Sequence, residues 1–212
     1  MKKIAEFICS DQPGHIVLTG GAIKKYFDPA VKMTAQERKE YVRGLLTVYP
    51  YMFLGNYYKW LYEGEKAPKD YQEFMKADQP GIAAQAVPLL DAWYDEKSKV
   101  PYEDRAKGKI SLFMDIPFLV LGNFHRWLYA GTKDAKDYQD FINQTKPALT
   151  SVLGGIVLKA YYDKKKPLSA AEKAQIMLYF GTEYAQILIR KYYTWLFGEE
   201  KISFPPGPPP GK

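Results

Sequence analysis

The chain has 212 residues, of which 47% are hydrophobic and 25% charged, and its formal net charge is +6. This is ordinary globular composition, and so mild a basic excess does not indicate a dedicated nucleic-acid-binding protein. The single cysteine, Cys9, excludes an intramolecular disulfide and a metal site built from thiolates alone.

The first residues resemble the start of a signal peptide, but Glu6 and Asp11 interrupt the apolar run. The chain also lacks the stretch of about 18 apolar residues that a membrane-spanning helix needs. Together with the cysteine usage, these features predict a cytoplasmic protein without a transmembrane segment.

Three tryptophans lie in similar surroundings at a nearly constant interval, because Trp60, Trp127 and Trp195 are 67 and 68 residues apart. A fixed period of this length is typical of one structural unit that is used several times. Prolines and aromatic-aromatic-aspartate motifs recur at the same spacing: Pro13, Pro80 and Pro147, then Tyr26–Asp28, Trp93–Asp95 and Tyr161–Asp163.

The period divides the chain into three tandem units of about 67 residues with little left over. The predicted organisation is a single helical-repeat domain over residues 1–204, followed by a Pro/Gly-rich tail at 205–212. The predicted units are about 1–67, 68–134 and 135–204.

Each unit is predicted to contain four helical segments. The first is short, begins in the second unit at an N-cap, Asp70, and is ended in each unit by a proline: Pro13, Pro80 and Pro147. The second segment has apolar residues at helical spacing and ends at the aromatic-aromatic-aspartate motif.

The third segment opens with capping boxes, Thr34–Glu37 and Ser169–Glu172. Pro50 and Pro117 are expected to separate or kink the fourth segment, whereas Ala185 at the matching place predicts a continuous helix. The fourth segment carries the tryptophan and ends at glycines that are typical of helix C-caps: Gly64, Gly131 and Gly198.

No β-strand pattern competes with these helices, so the predicted fold class is all-α. An open stack of repeats usually needs polar units at its ends, and the terminal units here are no more polar than the middle one. We therefore expect one compact domain, with a pseudo-three-fold arrangement in which the first and last units touch.

Tyr58, His125 and Tyr193 occupy the same place in the three units, beside the tryptophans. The tryptophans are assigned to the buried seam between units, since each unit must cover its apolar face. His125 is interpreted as a packed substitute for tyrosine rather than as a base. For the tyrosines, a core position and an aromatic groove remain open, and all three residues are included in a predicted partner-binding surface.

The positive charge is concentrated in the third unit, where residues 148–212 carry 9 basic and 5 acidic side chains. Arg190 and Lys191 replace the Gly-Asn pairs of the first two units, which predicts that this face is exposed. They could join the loop lysines in one basic patch, although a solvated loop and an exposed helix end also explain them. The loop lysines are Lys164, Lys165 and Lys166.

No residue pattern indicates catalysis, a cofactor or a metal. The two histidines lie at different places in the units and lack the spacing of zinc ligands, and nothing in the sequence places a base beside Cys9. Asp115 and Glu183 share a repeat position and could converge near an axis, although two solvated or capping acids are the simpler interpretation.

The predicted function is non-catalytic binding of a protein partner, of acidic character, through a Tyr-rich and locally basic helical surface. Regulatory, antitoxin-like and adaptor roles fit equally well. One alternative is a carrier that holds an apolar or aromatic small molecule between helices. A second alternative is weak nucleic-acid binding through the basic third unit.

Overall fold

The computed structural model describes residues 2–28, 30–95, 97, 99–133, 135–151, 159–179 and 183–198, and within these ranges the regular structure is helical without strands. This confirms the all-α fold class. The predicted tail at 205–212 lies outside the described residues, and no described helix combines the length and apolar character needed to cross a membrane. In chain order the helices are α1 (Ile4–Phe27), α2 (Ala35–Thr47), α3 (Tyr49–Leu61), α4 (Tyr71–Tyr94), α5 (Tyr102–Tyr129), α6 (Tyr138–Leu149), α7 (Lys159–Tyr162), α8 (Ala170–Tyr179) and α9 (Ala185–Phe197).

Helix starts follow the local chemistry of the sequence. Thr34 accepts a hydrogen bond from the Glu37 amide, and the Glu37 carboxylate accepts one from the Thr34 amide at 2.7 Å, which completes a capping box. Ser169 and Glu172 form the same pair of bonds before α8. Asp70 caps α4 by accepting from the Gln72 amide at 2.9 Å. The predicted caps are confirmed.

The breaks predicted at Pro13, Pro80 and Pro147 are wrong. Pro13 lies inside α1, Pro80 inside α4 and Pro147 inside α6, and Pro88 also lies inside α4. A proline within a helix removes one hydrogen bond and costs about 3 kcal/mol in an isolated helix. All four prolines are exposed, so water can hydrate the released carbonyl groups while the opposite face of each helix stays packed.

Two further prolines have different effects at matching places. Pro50 is the second residue of α3, which is separated from α2 by Val48 alone. Pro117 lies within α5, which continues through it as a single helix. The predicted continuous helix before Ala185 falls on residues 180–182, which lie outside the described residues.

Helix ends are set by glycine. Gly64, Gly131 and Gly198 follow the ends of α3, α5 and α9 with φ of +77°, +81° and +92°. This left-handed backbone carries a steric penalty for residues with a Cβ atom, so glycine ends these helices at little cost. Gly198 is the C-cap of α9, as predicted, whereas Gly64 and Gly131 lie just beyond the C-caps of α3 and α5, Tyr62 and Ala130.

The tryptophans lie at the seams between helices. Each is half-buried and packs against a buried phenylalanine of α1, α4 or α6, with ring centroids 5.3 to 5.5 Å apart. These pairs lie within the predicted units, and each tryptophan also lies 5.5 to 5.8 Å from an aromatic ring of a neighbouring predicted unit. The pairs are Trp60 with Phe7, Trp127 with Phe74, and Trp195 with Phe141.

The first and last parts of the described chain are in contact. Helix α1 packs against α8 and α9, as α2 packs against α4 and α5 against α6. The Tyr193 hydroxyl donates to the Lys2 carbonyl, and the Gln12 amide donates to the Glu183 carboxylate at 2.7 Å. The helices therefore close on themselves, and α3, α5 and α9 come together in the interior.

Candidate functional site

The three aromatic residues predicted to contribute to a partner surface are interior residues. Tyr58, His125 and Tyr193 are 5%, 4% and 2% exposed. The Tyr58 hydroxyl donates to the Lys69 carbonyl at 2.6 Å, and His125 Nε2 contacts the Lys136 carbonyl at 2.8 Å. Tyr193 makes the corresponding bond to Lys2. Tyr58 and His125 thus join the ends of their helices to the following segments, and Tyr193 joins α9 to the start of the described chain, so these buried side chains do not form an exposed Tyr-rich surface.

The predicted basic residues lie in two places. Lys191 is exposed on α9, whereas Arg190 is half-buried. The Lys164 ammonium lies 3.9 Å from the Tyr102 ring centre and 4.0 Å from Glu103, which holds it against the start of α5. Lys165 and Lys166 are exposed in the loop between α7 and α8.

The Gly-Asn pairs that Arg190 and Lys191 replace do allow close packing. A Cβ atom at Gly55 would lie 2.9 Å from the Tyr71 ring, and one at Gly122 would lie 2.6 Å from the Tyr138 ring. The rings of Tyr71 and Tyr138 therefore pack directly against Gly55 and Gly122 because these glycines have no side chain.

Asp115 and Glu183 do not form a carboxylate pair. Asp115 pairs with Lys146 at 2.8 Å and accepts from Ser111, whereas Glu183 accepts from Gln12. Each acid is engaged by a different helix, and no group of three potential metal ligands lies together in the part of the chain that the structure describes.

A cavity of about 70 Å³ lies between α3, α5 and α9. Its lining is hydrophobic apart from the hydroxyls of Tyr49 and Tyr184, and α2 and α8 add residues to its wall. The Tyr184 hydroxyl donates to the Met114 carbonyl at 3.2 Å. Each of the three helices supplies two buried side chains at matching positions 67 or 68 residues apart: Phe53, Val120 and Leu188, then Leu54, Leu121 and Ile189.

A second cavity, of about 40 Å³, adjoins the first, since Phe113 and Met177 line both. Its wall is different in character, because it includes one ammonium group and several tyrosines. The hydroxyls of Tyr26 and Tyr94 lie 3.1 Å apart. The tyrosines in this wall, which we call the tyrosine cluster, are Tyr26, Tyr41, Tyr94, Tyr161 and Tyr162.

Burial raises the pKa values of four tyrosines of the cluster. It raises the pKa of Tyr41 to about 12 and raises the pKa values of Tyr94, Tyr161 and Tyr162 further, with neighbouring tyrosines adding to the effect. These four phenols therefore stay neutral at physiological pH, and each can donate a hydrogen bond.

Lys109 of α5 belongs to the same wall. Its ammonium nitrogen lies 5.0 Å from the ring centre of Tyr94 and 5.8 Å from that of Tyr162. Burial lowers the pKa of the Lys109 amine, and the positive charge of Arg105 lowers it further. Lys109 was not among the residues predicted from the sequence. The signal that could have identified it is a lysine at a repeat position where the other two residues, Val42 and Met177, are apolar.

No family model matches this chain, and no curated protein or solved structure matches it either.

Proposed function

We propose that this protein is a non-catalytic binding protein that holds a small apolar molecule in the central cavity between α3, α5 and α9. The observation that carries the proposal is the cavity itself, whose buried side chains are aliphatic or aromatic. Apolar cavities of this kind stay dry and accept small apolar molecules.

An empty cavity lowers the stability of the fold, which supports a role for this cavity in ligand binding. At about 24 cal/mol per Å³, a cavity of about 70 Å³ costs on the order of 2 kcal/mol. That is a considerable part of the roughly 5–15 kcal/mol by which domains are stable. A ligand that fills the space restores the missing contacts.

We also propose that the chain consists of three tandem units that close into a pseudo-three-fold ring. Matching hydrogen bonds across successive junctions support this: Tyr58 with Lys69, His125 with Lys136, and Tyr193 with Lys2. The last of these joins the end of the described chain to its beginning. Such a ring places equivalent apolar positions around one axis, which accounts for the cavity there.

The test is titration of the protein with toluene and with 1-octanol, followed by calorimetry and by thermal unfolding. We expect saturable binding of one molecule per chain. At a free ligand concentration of about ten times Kd, the stabilisation is about 1.4 kcal/mol, which raises Tm by roughly 3–6 °C.

The substitution Val120→Phe fills the cavity, because phenylalanine is already the residue at the matching position 53. We expect this variant to fold and to lose binding of both compounds. Val17→Phe is the matched control, since Val17 is 76% exposed on α1 and does not line the cavity. Binding that survives Val120→Phe, or no binding to the unmodified protein, overturns the proposal.

A second candidate function is recognition of an acidic protein partner, in a regulatory, antitoxin-like or adaptor role in the cytoplasm. It is supported by exposed Lys165, Lys166 and Lys191, which carry charge into solvent. Substitution of all three lysines by glutamate reverses their charge and should abolish co-purification of such a partner. Retention of the partner by the triple variant contradicts this function.

Weak nucleic-acid binding through the same lysines predicts instead an affinity for DNA that falls steeply with salt.

A further inference from the structure

The two adjoining cavities have walls of different chemistry. The central cavity is lined by apolar side chains, and the smaller cavity is lined by the tyrosine cluster and Lys109. Phe113 and Met177 form the boundary between them. A ligand with one apolar part and one polar end matches both spaces at once.

The charge of Lys109 is not balanced by a carboxylate among the described residues, since none of the ion pairs there includes it. The charge of Arg105, which is another cation, lowers the pKa of the Lys109 amine in addition to burial. Buried charges are usually paired, and the rings of Tyr94 and Tyr162 give this ammonium contacts without a full counter-charge, so the arrangement favours an anionic ligand group.

The acids that end the aromatic motifs are already engaged. The carboxylate of Asp28 accepts from the Ala30 amide at 2.8 Å, and that of Asp95 accepts from the Lys97 amide at 2.9 Å. Asp163 makes the corresponding bond to Lys165. These carboxylates therefore stabilise turns next to the tyrosine cluster.

We propose that the ligand is an apolar monocarboxylate, whose carboxylate is held by Lys109 and by hydroxyls of the tyrosine cluster while its apolar body fills the central cavity. This inference rests on the proposed function and names its ligand class. One ammonium balances a single negative charge, and the neutral phenols donate hydrogen bonds to it, whereas a phosphate dianion would need a second cation.

The cavity volumes set the size of the ligand. A group the size of a water molecule needs roughly 10–15 Å³ of cavity volume. The two cavities, of about 70 and 40 Å³, therefore accommodate together on the order of eight to ten non-hydrogen atoms. Octanoate and benzoate both fall in this range.

The experiment compares octanoate, 1-octanol and octylamine, which share one chain and differ in charge, by calorimetry on the full chain. We expect octanoate to bind at least tenfold more tightly than 1-octanol, and octylamine to bind most weakly. Lys109→Met should remove the preference for octanoate while keeping 1-octanol binding, because methionine already stands at the matching position 177. Lys107→Met, on the exposed face of α5, is the control and should keep the preference.

Each outcome bears on one proposal. Equal affinity of the unmodified protein for octanoate and 1-octanol overturns the carboxylate inference and leaves apolar binding standing. A preference for octanoate that persists in Lys109→Met also overturns it. Failure of every compound to bind overturns the proposed function itself. The comparison in the unmodified protein decides the question even where Lys109→Met does not fold.

Discussion

At the scale of single residues, His125 has both ring nitrogens in hydrogen bonds. Nε2 lies 2.8 Å from the Lys136 carbonyl, which can only accept, so Nε2 carries the proton in the neutral ring. Nδ1 lies 2.7 Å from the Tyr192 hydroxyl and accepts from it. The neutral ring therefore satisfies both partners, and a second proton on Nδ1 would displace the donor from Tyr192.

This arrangement predicts a pH dependence of stability. Burial is the main cause that lowers the pKa of His125, and Arg126 adds to it while the Lys136 bond and Asp137 oppose it. The unfolded chain, with a histidine pKa near 6.5, binds the proton before the folded protein does. The stabilising effect is therefore complete above about pH 6.5 and is lost as pH falls below that value.

The measurement is urea unfolding of the unmodified protein and His125→Tyr between about pH 5 and pH 7.5. Tyrosine is the residue at the matching positions 58 and 193, and it does not titrate in this range. The unmodified protein should lose more stability in acid, with a difference in slope of at most about 1.4 kcal/mol per pH unit. If the free energies of unfolding of the two proteins change with pH in parallel, His125 has the same pKa in the folded and unfolded states, which contradicts the prediction.

At the scale of helices, glycine has opposite effects at a helix end and inside a helix. Gly131 ends α5 with φ of +81°, where alanine is strained, so Gly131→Ala should lower the free energy of unfolding by about 1 kcal/mol. Gly81 lies inside α4 and is exposed, with no heavy atom within 4 Å of an added Cβ. Gly81→Ala should raise the free energy of unfolding by about 0.5–1 kcal/mol.

Chemical denaturation of the two variants provides the check, and each serves as the control for the other because the substitution is the same. If both substitutions raise the free energy of unfolding, Gly131 does not hold a strained left-handed conformation in solution. If both lower it, Gly81 does not lie inside a regular helix.

Helix ends were predictable because their chemistry is local. The capping box needs only Thr34 and Glu37, which lie within one turn. The effect of Pro13 depended on which face of α1 meets solvent, and sequence alone does not show this. The burial of Tyr193 depended on Lys2, which is 191 residues away along the chain. The site at Lys109 likewise requires knowing which helices surround it.

At the scale of the whole molecule, lysines repeat one contact at three helix ends. The Lys2 ammonium donates to the Trp60 carbonyl at 2.6 Å, and Lys69 and Lys136 contact the carbonyls of Trp127 and Trp195 in the same way. Each lysine also lies over the indole ring of that tryptophan. A cation at the carboxyl end of a helix is favourable, so these contacts stabilise α3, α5 and α9 alike.

The junction between the two ends of the described chain can be compared with an internal junction. Tyr193 donates to the Lys2 carbonyl, and Tyr58 makes the matching bond to Lys69, which also donates its amide back to Tyr58. If the ring is closed in solution, Tyr193→Phe should lower the free energy of unfolding by about 1 kcal/mol, and Tyr58→Phe by at least as much.

The comparison of these two variants by chemical denaturation tests closure directly, because the substitution is identical and both tyrosines are buried. The Tyr193 ring also packs 5.8 Å from Trp60, so its substitution by alanine should remove aromatic packing that Tyr193→Phe retains. A cost for Tyr58→Phe together with no cost for Tyr193→Phe would mean that the first and last helices separate in solution. The proposed ring, which needs the contact between Tyr193 of α9 and Lys2, would then not persist in solution.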